Sequence, residues 1–497
     1  MPLDQSEVTP ELVALWSNRK WRLNNLYYIE DKYGAVVKFK MNEAQEKLLD
    51  DLHYLNIVLK ARQLGFSTLI LLLALDCCLF NSNFAAGLIA DSLDNSSNLL
   101  DRIKFAYKKL PEELKSVRPV EKKNASEIHF NNGSWVEVGV SLRSGTKNFL
   151  HISEYGRICA QRPDKAKEVK SGALNTLAQK QLGFIESTAE GRGGDFHDKV
   201  LGAQKVIDRE PHDMEWKLHF YAWFDAPEYT TDSPVTLTAK DEEYFEKLAT
   251  RGVKLTEGQK RWYALKKLEQ GEDMLKEYPS DPEEAFQAVR DGAYFAKQIH
   301  GLRERGRIGE ATIDPRTPVN TFWDLGMNDM TVIWLHQLIA GNHRFIGYYE
   351  SSGEGIAHHI KWLNAWSVTH GAVFGRHFGP HDIEHRQMGV MADSIRQIAL
   401  DLGFNFEVVP RTLDKVNTIE AARTILPQCE FDEAATAEGL AHLESYSKDW
   451  DEKLGVWRSH PRHDDHSHAA DAFMTFVDSK IAPTNRPRTA WKPKKRV

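Results

Sequence analysis

The sequence has little cysteine and no long hydrophobic run. Its four cysteines among 497 residues show no C-x-x-C spacing, which argues against a disulfide framework or a cysteine zinc finger and favours a reducing cytoplasm. No segment approaches the roughly 20 apolar residues of a membrane-spanning helix. The first residues, Met-Pro-Leu-Asp, do not begin a signal peptide. We therefore expect a soluble protein with no membrane segment.

The chain also lacks an excess of positive charge. Its net charge is −7, with 27% charged and 41% hydrophobic residues, as in ordinary globular proteins. Such a charge argues against a protein coated in nucleic acid but leaves room for a local basic groove. Residues 486–497 carry six basic residues and no acidic one. This tail is either a solvated, disordered end or an arm for DNA or a partner protein.

Strand-like and helix-like segments alternate through the first half of the chain. This alternation predicts an α/β domain with a largely parallel sheet. Residues 241–277 are charged and helical, and two prolines follow within residues 278–286. A chain of 497 residues suits two or three domains, and the natural boundary falls near residues 290–315. The strand candidates are residues 56–60, 86–91, 134–140, 149–153, 183–188 and 217–222.

The second half has a different order of elements. Three strands joined by short polar turns favour a meander of two hairpins, and helices and strands then alternate. The resulting order, β-β-β-α-β-α-β-α, is that of the ribonuclease H fold. The predicted elements are strands at 319–324, 331–337 and 343–350, a helix at 355–366, a strand at 374–379, a helix at 393–402, a strand at 405–409 and further helices to about residue 480.

A phosphate-binding loop with a displaced lysine is predicted between residues 56 and 68, which read Asn-Ile-Val-Leu-Lys-Ala-Arg-Gln-Leu-Gly-Phe-Ser-Thr. An apolar strand here turns into an apolar helix, which is typical of a P-loop. Lys60 holds the place of the first glycine, however, and Phe66 holds the place of the lysine. A P-loop curls around the phosphates, so Lys60 or Arg62 can supply the positive charge that the usual lysine provides.

The loop keeps the parts that phosphate binding needs. Gly65 allows close approach, the helix start offers N–H groups, and the hydroxyl of Ser67 or Thr68 can bind Mg²⁺. Upstream, Gln45 offers an amide donor and acceptor that can read an adenine edge. Taken alone, the loop is equally consistent with a buried strand–turn–helix that binds no ligand.

A carboxylate follows another apolar strand, at residues 150–154 (Leu-His-Ile-Ser-Glu). Glu154 lies where an ATPase needs a base to orient the attacking water. Ser153 occupies the place of an aspartate that normally helps to hold Mg²⁺, so metal holding falls mainly to the loop hydroxyls. Ser187 and Thr188 follow a further apolar strand, where a γ-phosphate sensor lies. A surface glutamate and a plain glycine-rich turn are the simpler interpretations.

Several aspartates in the second half indicate a metal site. Asp324 ends the first strand, and Asp382 follows the strand at 374–379. In this fold the two strands are parallel neighbours, so their carboxyl ends face each other. The closing helix offers a third carboxylate. We prefer Asp465 slightly to Asp471; six residues along one helix make it unlikely that both bind the same ion.

Converging carboxylates repel one another unless a divalent cation lies between them, and oxygen ligands suit Mg²⁺ or Mn²⁺. Two such ions about 4 Å apart would clamp the attacking and leaving oxygens of a phosphodiester, which implies hydrolysis of DNA strands. A helix cap or a surface charge is the simpler interpretation of any single aspartate. Glu350 is a weaker candidate for a metal ligand. The histidines between residues 460 and 468 could suggest a zinc site, but they have no cysteine partners and aspartates lie beside them, so a zinc site is the less favoured interpretation.

In their order along the chain, these segments resemble the large subunits of tailed-bacteriophage terminases. The resemblance covers about residues 40–480. Those proteins are DNA-packaging motors with an N-terminal ATPase and a C-terminal nuclease, and some carry the lysine at the start of the loop, as Lys60 does here. Ser153 departs from the family's commoner aspartate. The matching segments are Gln45, Lys-Ala-Arg-Gln-Leu-Gly-Phe-Ser-Thr, His-Ile-Ser-Glu, Ser-Thr-Ala-Glu-Gly and Tyr-Pro-Ser-Asp-Pro-Glu-Glu-Ala-Phe.

The resemblance implies a domain arrangement and an activity. A P-loop ATPase would span residues 1–300, with a helical linker at about 241–300. A ribonuclease H-like nuclease would span 315–480, and a basic, disordered tail 481–497. ATP hydrolysis with Mg²⁺ would drive double-stranded DNA into a procapsid, and an endonuclease with two Mg²⁺ or Mn²⁺ ions would cut concatemeric DNA.

The resemblance also implies partners and a location. These are a small terminase subunit, the portal protein of the procapsid, and further copies of the chain in a ring on the portal. The location is the host bacterial cytoplasm during phage assembly, and not the mature virion. Arg143, or alternatively Arg62, is a hypothetical arginine finger.

Two other functions fit the same residues. The chain could be a repair-type ATPase–nuclease that processes branched DNA. The altered P-loop could also be inactive, which would leave a DNA-binding scaffold that only positions a nuclease. Measured ATP turnover, and cleavage of linear duplex compared with junction DNA, distinguish these functions.

Overall fold

The structure is a computed structural model that describes residues 10–287, 292–326, 330–384, 394–410, 414–451, 454 and 456–481. The chain divides into two compact units, Met1–Ala288 and Val289–Val497, called here the N-terminal and C-terminal units. The basic tail at residues 486–497 lies outside the described residues. None of the helices in the described ranges is both long enough and apolar enough to cross a membrane.

The N-terminal unit is built around a mostly parallel sheet. Its strands are β1 (Tyr28–Glu30), β2 (Val36–Lys38), β3 (Leu55–Lys60), β4 (Ala85–Ile89), β5 (Val120–Lys123), β6 (Glu127–Phe130), β7 (Trp135–Gly139), β8 (Lys147–Ser153), β9 (Leu177–Ser187) and β10 (Lys217–Tyr221). The large sheet has the order β10-β3-β9-β8-β4-β7-β6-β5, and β1 pairs with β2 separately. The pairs β5–β6 and β6–β7 at one edge are antiparallel. All other neighbouring strands of this sheet run parallel.

The helices of this unit pack on both faces of the sheet. They are α1 (Pro10–Ser17), α2 (Arg19–Leu26), α3 (Glu43–Asp50), α4 (Phe66–Phe80), α5 (Leu93–Lys108), α6 (Glu112–Val117), α7 (Tyr155–Gln161), α8 (Pro163–Ser171), α9 (Asp195–Gln204), α10 (Ala239–Thr250), α11 (Glu257–Gln270), α12 (Met274–Glu277) and α13 (Pro282–Ala285). Helix α4 is apolar all round and therefore buried, with hydrophobic side chains of the core on every side.

The strand order brings three chain segments to one edge of the sheet. Strand β9 lies between β3 and β8, and all three run parallel. Leu59 is level with Ser187, and Ser153 is level with Glu186. Because the carboxyl ends of parallel strands meet at the same edge, the segments after β3, β8 and β9 converge there.

The C-terminal unit contains a mixed seven-stranded sheet. Its strands are β11 (Ile308–Gly309), β12 (Val319–Asp324), β13 (Met330–Ile339), β14 (Asn342–Ser352), β15 (Phe374–Pro380), β16 (Phe406–Val409), β17 (Cys429–Asp432), β18 (Lys448–Asp451) and β19 (Val456–Pro461). The sheet order is β11-β17-β14-β13-β12-β15-β16, and β18 and β19 form a separate hairpin. Strands β12, β13 and β14 form the predicted antiparallel meander, and β15 runs parallel to β12.

Helices cover both faces of this sheet as well. They are α14 (Ala296–Glu304), α15 (Ile356–His370), α16 (Ile395–Asp401), α17 (Lys415–Ile425), α18 (Glu433–Ser445) and α19 (Asp465–Asp478). Trp334 and Phe345 pack on one face against Phe473 of α19. Trp323 and Ile333 belong to the core on the other face, together with α15 and α16.

The predicted fold class is confirmed: an α/β unit with a mostly parallel sheet precedes a unit with the strand order of the ribonuclease H fold. The six strands predicted in the first half correspond to β3, β4, β7, β8, β9 and β10. The prediction missed the short strands β1, β2 and β11, the antiparallel strands β5 and β6, strand β17 and the hairpin β18–β19. Strand β17 spans four residues between two helices, too few to show a period of two.

A buried ion pair joins α2 to α4. Asp76 is the single charged residue of α4 and is fully buried. Arg22 Nε and Nη2 donate to its two carboxylate oxygens over 2.9 and 2.6 Å, and Tyr27 Oη donates over 2.8 Å. Removing one partner of such a pair leaves an uncompensated charge in the core.

We expect Arg22→Met to lower the free energy of unfolding by about 3 kcal/mol, because Asp76 loses its counter-charge. Equilibrium unfolding in urea measures the change. Arg209→Met is the matched control, since Arg209 bridges Glu215 at the exposed surface. The control should be nearly as stable as the wild type. An Arg22→Met protein with wild-type stability would contradict the assignment.

Candidate active sites

The loop between β3 and α4 has the backbone of a phosphate loop. Gln63 has φ of 60° and Gly65 has φ of 76°, so the chain turns through two left-handed residues before α4 begins. A Cβ atom at Gly65 would lie 2.7 Å from Gln45 Nε2, so a larger residue would displace this amide as well as strain the left-handed backbone. Gly65 occupies the N-cap position of α4, so the first N–H groups of this helix face the loop.

Gln45 supports this loop. Its Nε2 donates to the carbonyl of Gly65 over 2.8 Å, and its Oε1 accepts from the backbone N–H of Asn42 over 3.0 Å. The Asn42 side chain caps the same turn of α3. Both ends of the amide are therefore engaged in shaping the loop. Recognition of adenine by Gln45 stays a prediction.

Lys60 is buried at the sheet edge between two carboxylates. Its Nζ lies 3.4 Å from Glu186 Oε1 and 3.8 Å from Glu154 Oε1, and the residue is 6% exposed. Burial alone would lower the pKa of Lys60, but the negative charges of Glu186 and Glu154 outweigh it and raise the pKa. A charged ammonium group is therefore held directly below the loop.

Sequence reasoning missed Glu186, the fully buried penultimate residue of β9. Ser67 Oγ donates a hydrogen bond to Glu186 Oε1, and His151 Nε2 lies 3.4 Å from Glu186 Oε2. Burial would raise the pKa of Glu186, but the charge of Lys60 and the contact with His151 lower it well below its usual range. A glutamate directly before Ser187 in an otherwise apolar run was the available signal.

Glu154 follows β8 in a left-handed conformation, with φ of 55° and ψ of 42°, and stands at the N-cap of α7. Burial raises its pKa, against the opposing pull of Lys60. A raised carboxylate pKa suits a group that accepts a proton. Ser187 Oγ accepts a hydrogen bond from Gly156 N–H over 3.0 Å, so the predicted sensor contacts the turn that carries Glu154. Thr188 is buried directly after β9.

The sequence does not decide whether Ser67 or Thr68 would bind Mg²⁺, and the structure gives the two hydroxyls different partners. Ser67 faces the carboxylate of Glu186, whereas Thr68 Oγ1 accepts a hydrogen bond from Arg102 of α5. A magnesium ion needs negative charge nearby, so Ser67 is the better ligand of the two. The glycine turn, the helix start and the buried ammonium of Lys60 fit a nucleotide phosphate.

The two arginines named from the sequence have carboxylate partners. Arg62 Nη1 lies 3.2 Å from Glu277 Oε2, and its backbone N–H donates to the carbonyl of Glu277 over 2.8 Å. Arg143 lies in the segment between β7 and β8, and its Nε is 2.7 Å from Glu168 Oε1 of α8. Both side chains are more than half exposed.

Three predicted aspartates line one cleft of about 720 Å³ in the C-terminal unit. Asp324 ends β12, Asp382 lies in the turn after β15, and Asp471 lies on α19. Lys415 and Asp478 line the same cleft and were missed, since neither stands at a strand end.

Asp471 is the predicted cleft carboxylate on α19. Lys415 Nζ lies 2.8 Å from its Oδ1. Burial raises the pKa of Asp471 and the charge of Asp324 adds to the increase, although Lys415 opposes both. Carboxylates that disfavour each other's charge fit a divalent cation, so the donor set suits Mg²⁺ or Mn²⁺.

Asp465, preferred from the sequence, is exposed at the first position of α19 and does not line the cleft. The preceding Asp464 caps the helix, with its carboxylate accepting from His466 N–H over 3.0 Å. His468 turns inward, and its Nδ1 lies 3.0 Å from Asp324 Oδ2. Glu350, the weaker candidate, is also outside the cleft lining.

Solved structures of phage large terminases match this chain at low sequence identity. The large terminase of bacteriophage HK97 matches with a TM-score of 0.43 and 12% identity over 93% of this chain and 99% of that one. The large terminase of a thermophilic bacteriophage matches with a TM-score of 0.30 and 13% identity over 89% of this chain and 100% of that one. The chain resembles phage large terminases.

A solved nuclease structure also matches part of the chain. The magnesium-bound large terminase nuclease from the thermophilic phage G20c matches with a TM-score of 0.27 and 15% identity, over 38% of this chain and 97% of that one. No protein-family model and no curated protein matches the sequence.

We expect Mg²⁺ at 100 times its Kd to stabilise the wild-type protein by about 2.7 kcal/mol and so to raise its Tm. The Tm of Asp471→Asn should not change when Mg²⁺ is added.

Because the folded-state pKa of Asp471 is raised, the folded protein loses stability as pH rises from the unfolded-state pKa of this group to its folded-state pKa. Asp471→Asn in EDTA at neutral pH should therefore melt at or above the wild type.

Thermal melts with and without Mg²⁺ measure this response. Asp465→Asn is the matched control, as it makes the same change on the same helix outside the cleft, and it should respond to Mg²⁺ like the wild type. Loss of the response in Asp465→Asn and not in Asp471→Asn would reverse the assignment.

Proposed function

We propose that this chain is the large subunit of a phage terminase, an ATP-driven motor that moves double-stranded DNA into a procapsid and cuts it. The observation that carries the proposal is the presence of two sites in one chain. One is a phosphate loop with a buried lysine between two carboxylates. The other is a cleft lined by four aspartates, three of which the sequence predicted.

The first site supports ATP hydrolysis. The N–H groups at the start of α4 and the ammonium of Lys60 would bind the phosphates, and Ser67 would leave Glu186 to bind Mg²⁺. Glu154 would accept a proton from the attacking water, because its pKa is raised by burial. Arg143, with its exposed guanidinium, is the proposed arginine finger toward a neighbouring copy.

The second site supports cleavage of DNA. Asp324, Asp382 and Asp471 would hold two Mg²⁺ or Mn²⁺ ions. When bound, such ions polarise a phosphodiester and clamp its attacking and leaving oxygens. Lys415 would release Asp471 on metal binding and neutralise charge at the cleft. His468 orients Asp324 through their 3.0 Å contact.

The proposal includes the partners of a packaging motor. These are double-stranded DNA, a small terminase subunit, the portal protein of the procapsid and a ring of further copies of this chain. Contacts to DNA during translocation would be made to phosphates, so binding should weaken steeply as salt increases.

We expect Lys60→Ala to abolish ATP turnover, because the loop loses the cation that neutralises the phosphates. Glu154→Gln should lower kcat by 100-fold or more, on the order of what general-base removal costs, without raising KM for ATP to the same degree. DNA-stimulated phosphate release measures both. Glu112→Gln, the same type of change at an exposed carboxylate of α6 that pairs with Lys115, is the control and should keep wild-type kcat.

Wild-type ATP turnover in Lys60→Ala would remove Lys60 from the site. A wild-type chain without any ATP turnover would favour the scaffold function instead.

We expect Asp324→Asn to abolish Mg²⁺-dependent cleavage of linear duplex DNA and to leave ATP turnover intact, because Asp324 belongs to the cleft alone. Gel assays of duplex and four-way-junction substrates measure cleavage. Lys60→Ala is the reciprocal control, since it should keep cleavage. Persistent cleavage by Asp324→Asn would exclude the cleft, and a strong preference of the wild type for junctions would favour a repair function.

A further inference from the structure

A second cluster of ligand-type side chains lies in the C-terminal unit, outside the aspartate cleft. It consists of Glu350 on β14 and of Glu438 and His442 on α18. One ligand atom from each of these three side chains lies within 4.8 Å of those of the other two. His442 Nε2 is 3.1 Å from Glu350 Oε2. We call these three residues the Glu350 cluster.

The spacing on α18 is that of a chelating pair. Glu438 and His442 are four residues apart, so they lie one above the other on the same face of the helix. Two ligands at this spacing are the usual way in which a single helix holds a metal ion. The strand opposite supplies Glu350 as the third ligand.

A glycine brings the helix close enough for this arrangement. Gly439 of α18 packs directly on the sheet, and a Cβ atom there would clash with the rings of Trp334 and Tyr348. Any larger residue at position 439 would move α18 away from β14. The close approach that brings Glu438 and His442 to Glu350 therefore depends on a residue without a side chain.

The cluster also has an orienting partner. His442 Nδ1 lies 2.8 Å from Nδ1 of His466, at the start of α19. When one ring nitrogen of a histidine binds a metal, the other usually donates to a neighbouring acceptor, which fixes the ring and its tautomer. His466 provides that acceptor, and Tyr348 Oη donates to Glu350 in the same way.

The cluster is separate from the aspartate cleft. Asp324 on β12 is level with Val332 on β13, and Val332 is level with Glu350 on β14. Two strand spacings, about 10 Å, therefore divide Asp324 from Glu350 along the sheet. The cleft lining contains none of the three cluster residues.

We propose that Glu350, Glu438 and His442 bind one divalent transition-metal ion, for which Zn²⁺ is the fitting case. When Zn²⁺ binds tetrahedrally at 2.0–2.1 Å from each ligand atom, two ligand atoms lie about 3.3 Å from each other. The distance between Glu350 Oε2 and His442 Nε2 is 3.1 Å, which is close to that value. A neutral imidazole with two carboxylates favours Zn²⁺ over Mg²⁺, which prefers oxygen ligands alone. The ion would fasten α18 to the sheet and, through His466, position the start of α19.

The test uses the full chain with Asp324→Asn and Asp471→Asn, so that the cleft does not contribute, after treatment with EDTA and dialysis. Titration calorimetry with Zn²⁺ alone should give one ion per chain. Adding Glu438→Gln or His442→Gln should weaken that binding by 100-fold or more. Adding His466→Gln, which removes only the orienting partner, should weaken it by about 10-fold.

Two matched controls separate this site from other surface donors. Glu433→Gln makes the same change on the same helix, and His463→Gln makes the same change at an exposed histidine nearby; both should keep the affinity. Thermal melts in EDTA check that each variant folds, and Glu350→Gln, which keeps the side chain's shape, replaces any variant that does not.

A cleft-disabled chain that binds no Zn²⁺ would overturn the proposal, and so would unchanged affinity in folded Glu438→Gln and His442→Gln. Loss of binding in His463→Gln would reassign the metal to the surface histidines. These outcomes do not depend on ATP turnover or on DNA cleavage, so they leave the proposed function untouched.

Discussion

A lysine ammonium that is withdrawn from water needs negative charge within a few ångströms, and Lys60 meets two carboxylates at the edge of the N-terminal sheet. That requirement explains why Glu186 lies inside an apolar strand. It also links three strands electrostatically, since Lys60 ends β3, Glu186 lies in β9 and Glu154 follows β8. The phosphate loop therefore stands on a pre-formed set of charges.

In the C-terminal unit the buried charges that need partners of opposite sign are negative. Its cleft gathers carboxylates, and the ammonium of Lys415 stands against Asp471. Burial and the neighbouring charge of Asp324 still raise the pKa of Asp471, so a single lysine does not balance the group. A divalent cation carries twice that charge and binds two or more carboxylates at once, which is why the donor set fits a metal better than it fits an ion pair.

The sequence predicted the parts that depend on local pattern. Segments rich in apolar and β-branched or aromatic residues predicted the six parallel strands, and positions at or after strand ends made Glu154, Asp324 and Asp382 candidates. It failed where the deciding contact is distant in the chain. Both Asp465 and Asp471 lie on α19, and only the packing of that helix on β12 and β13 determines which one faces the cleft.

Glu186 was missed for a similar reason. Its partners Lys60, Ser67 and His151 are 35 or more residues away along the chain, so the apolar run around it marks its position but does not reveal the groups that it meets. Gln45 has a contact that residue type alone did not indicate, because its amide donates to the carbonyl of Gly65. Residue type indicates what a side chain can do, and packing decides which partner it meets.

Both candidate sites hold their charged groups in ion pairs and hydrogen bonds that a ligand would have to exchange. Ser67 would leave Glu186 for Mg²⁺, and Asp471 would leave Lys415 for a metal ion. The free energy of those internal contacts is subtracted from the free energy of ligand binding. It also keeps the side chains ordered before the ligand arrives, which reduces the entropy lost on binding. Exchangeable pairs of this kind would therefore weaken ligand binding and favour ligand release, which suits the proposed ATP-driven motor.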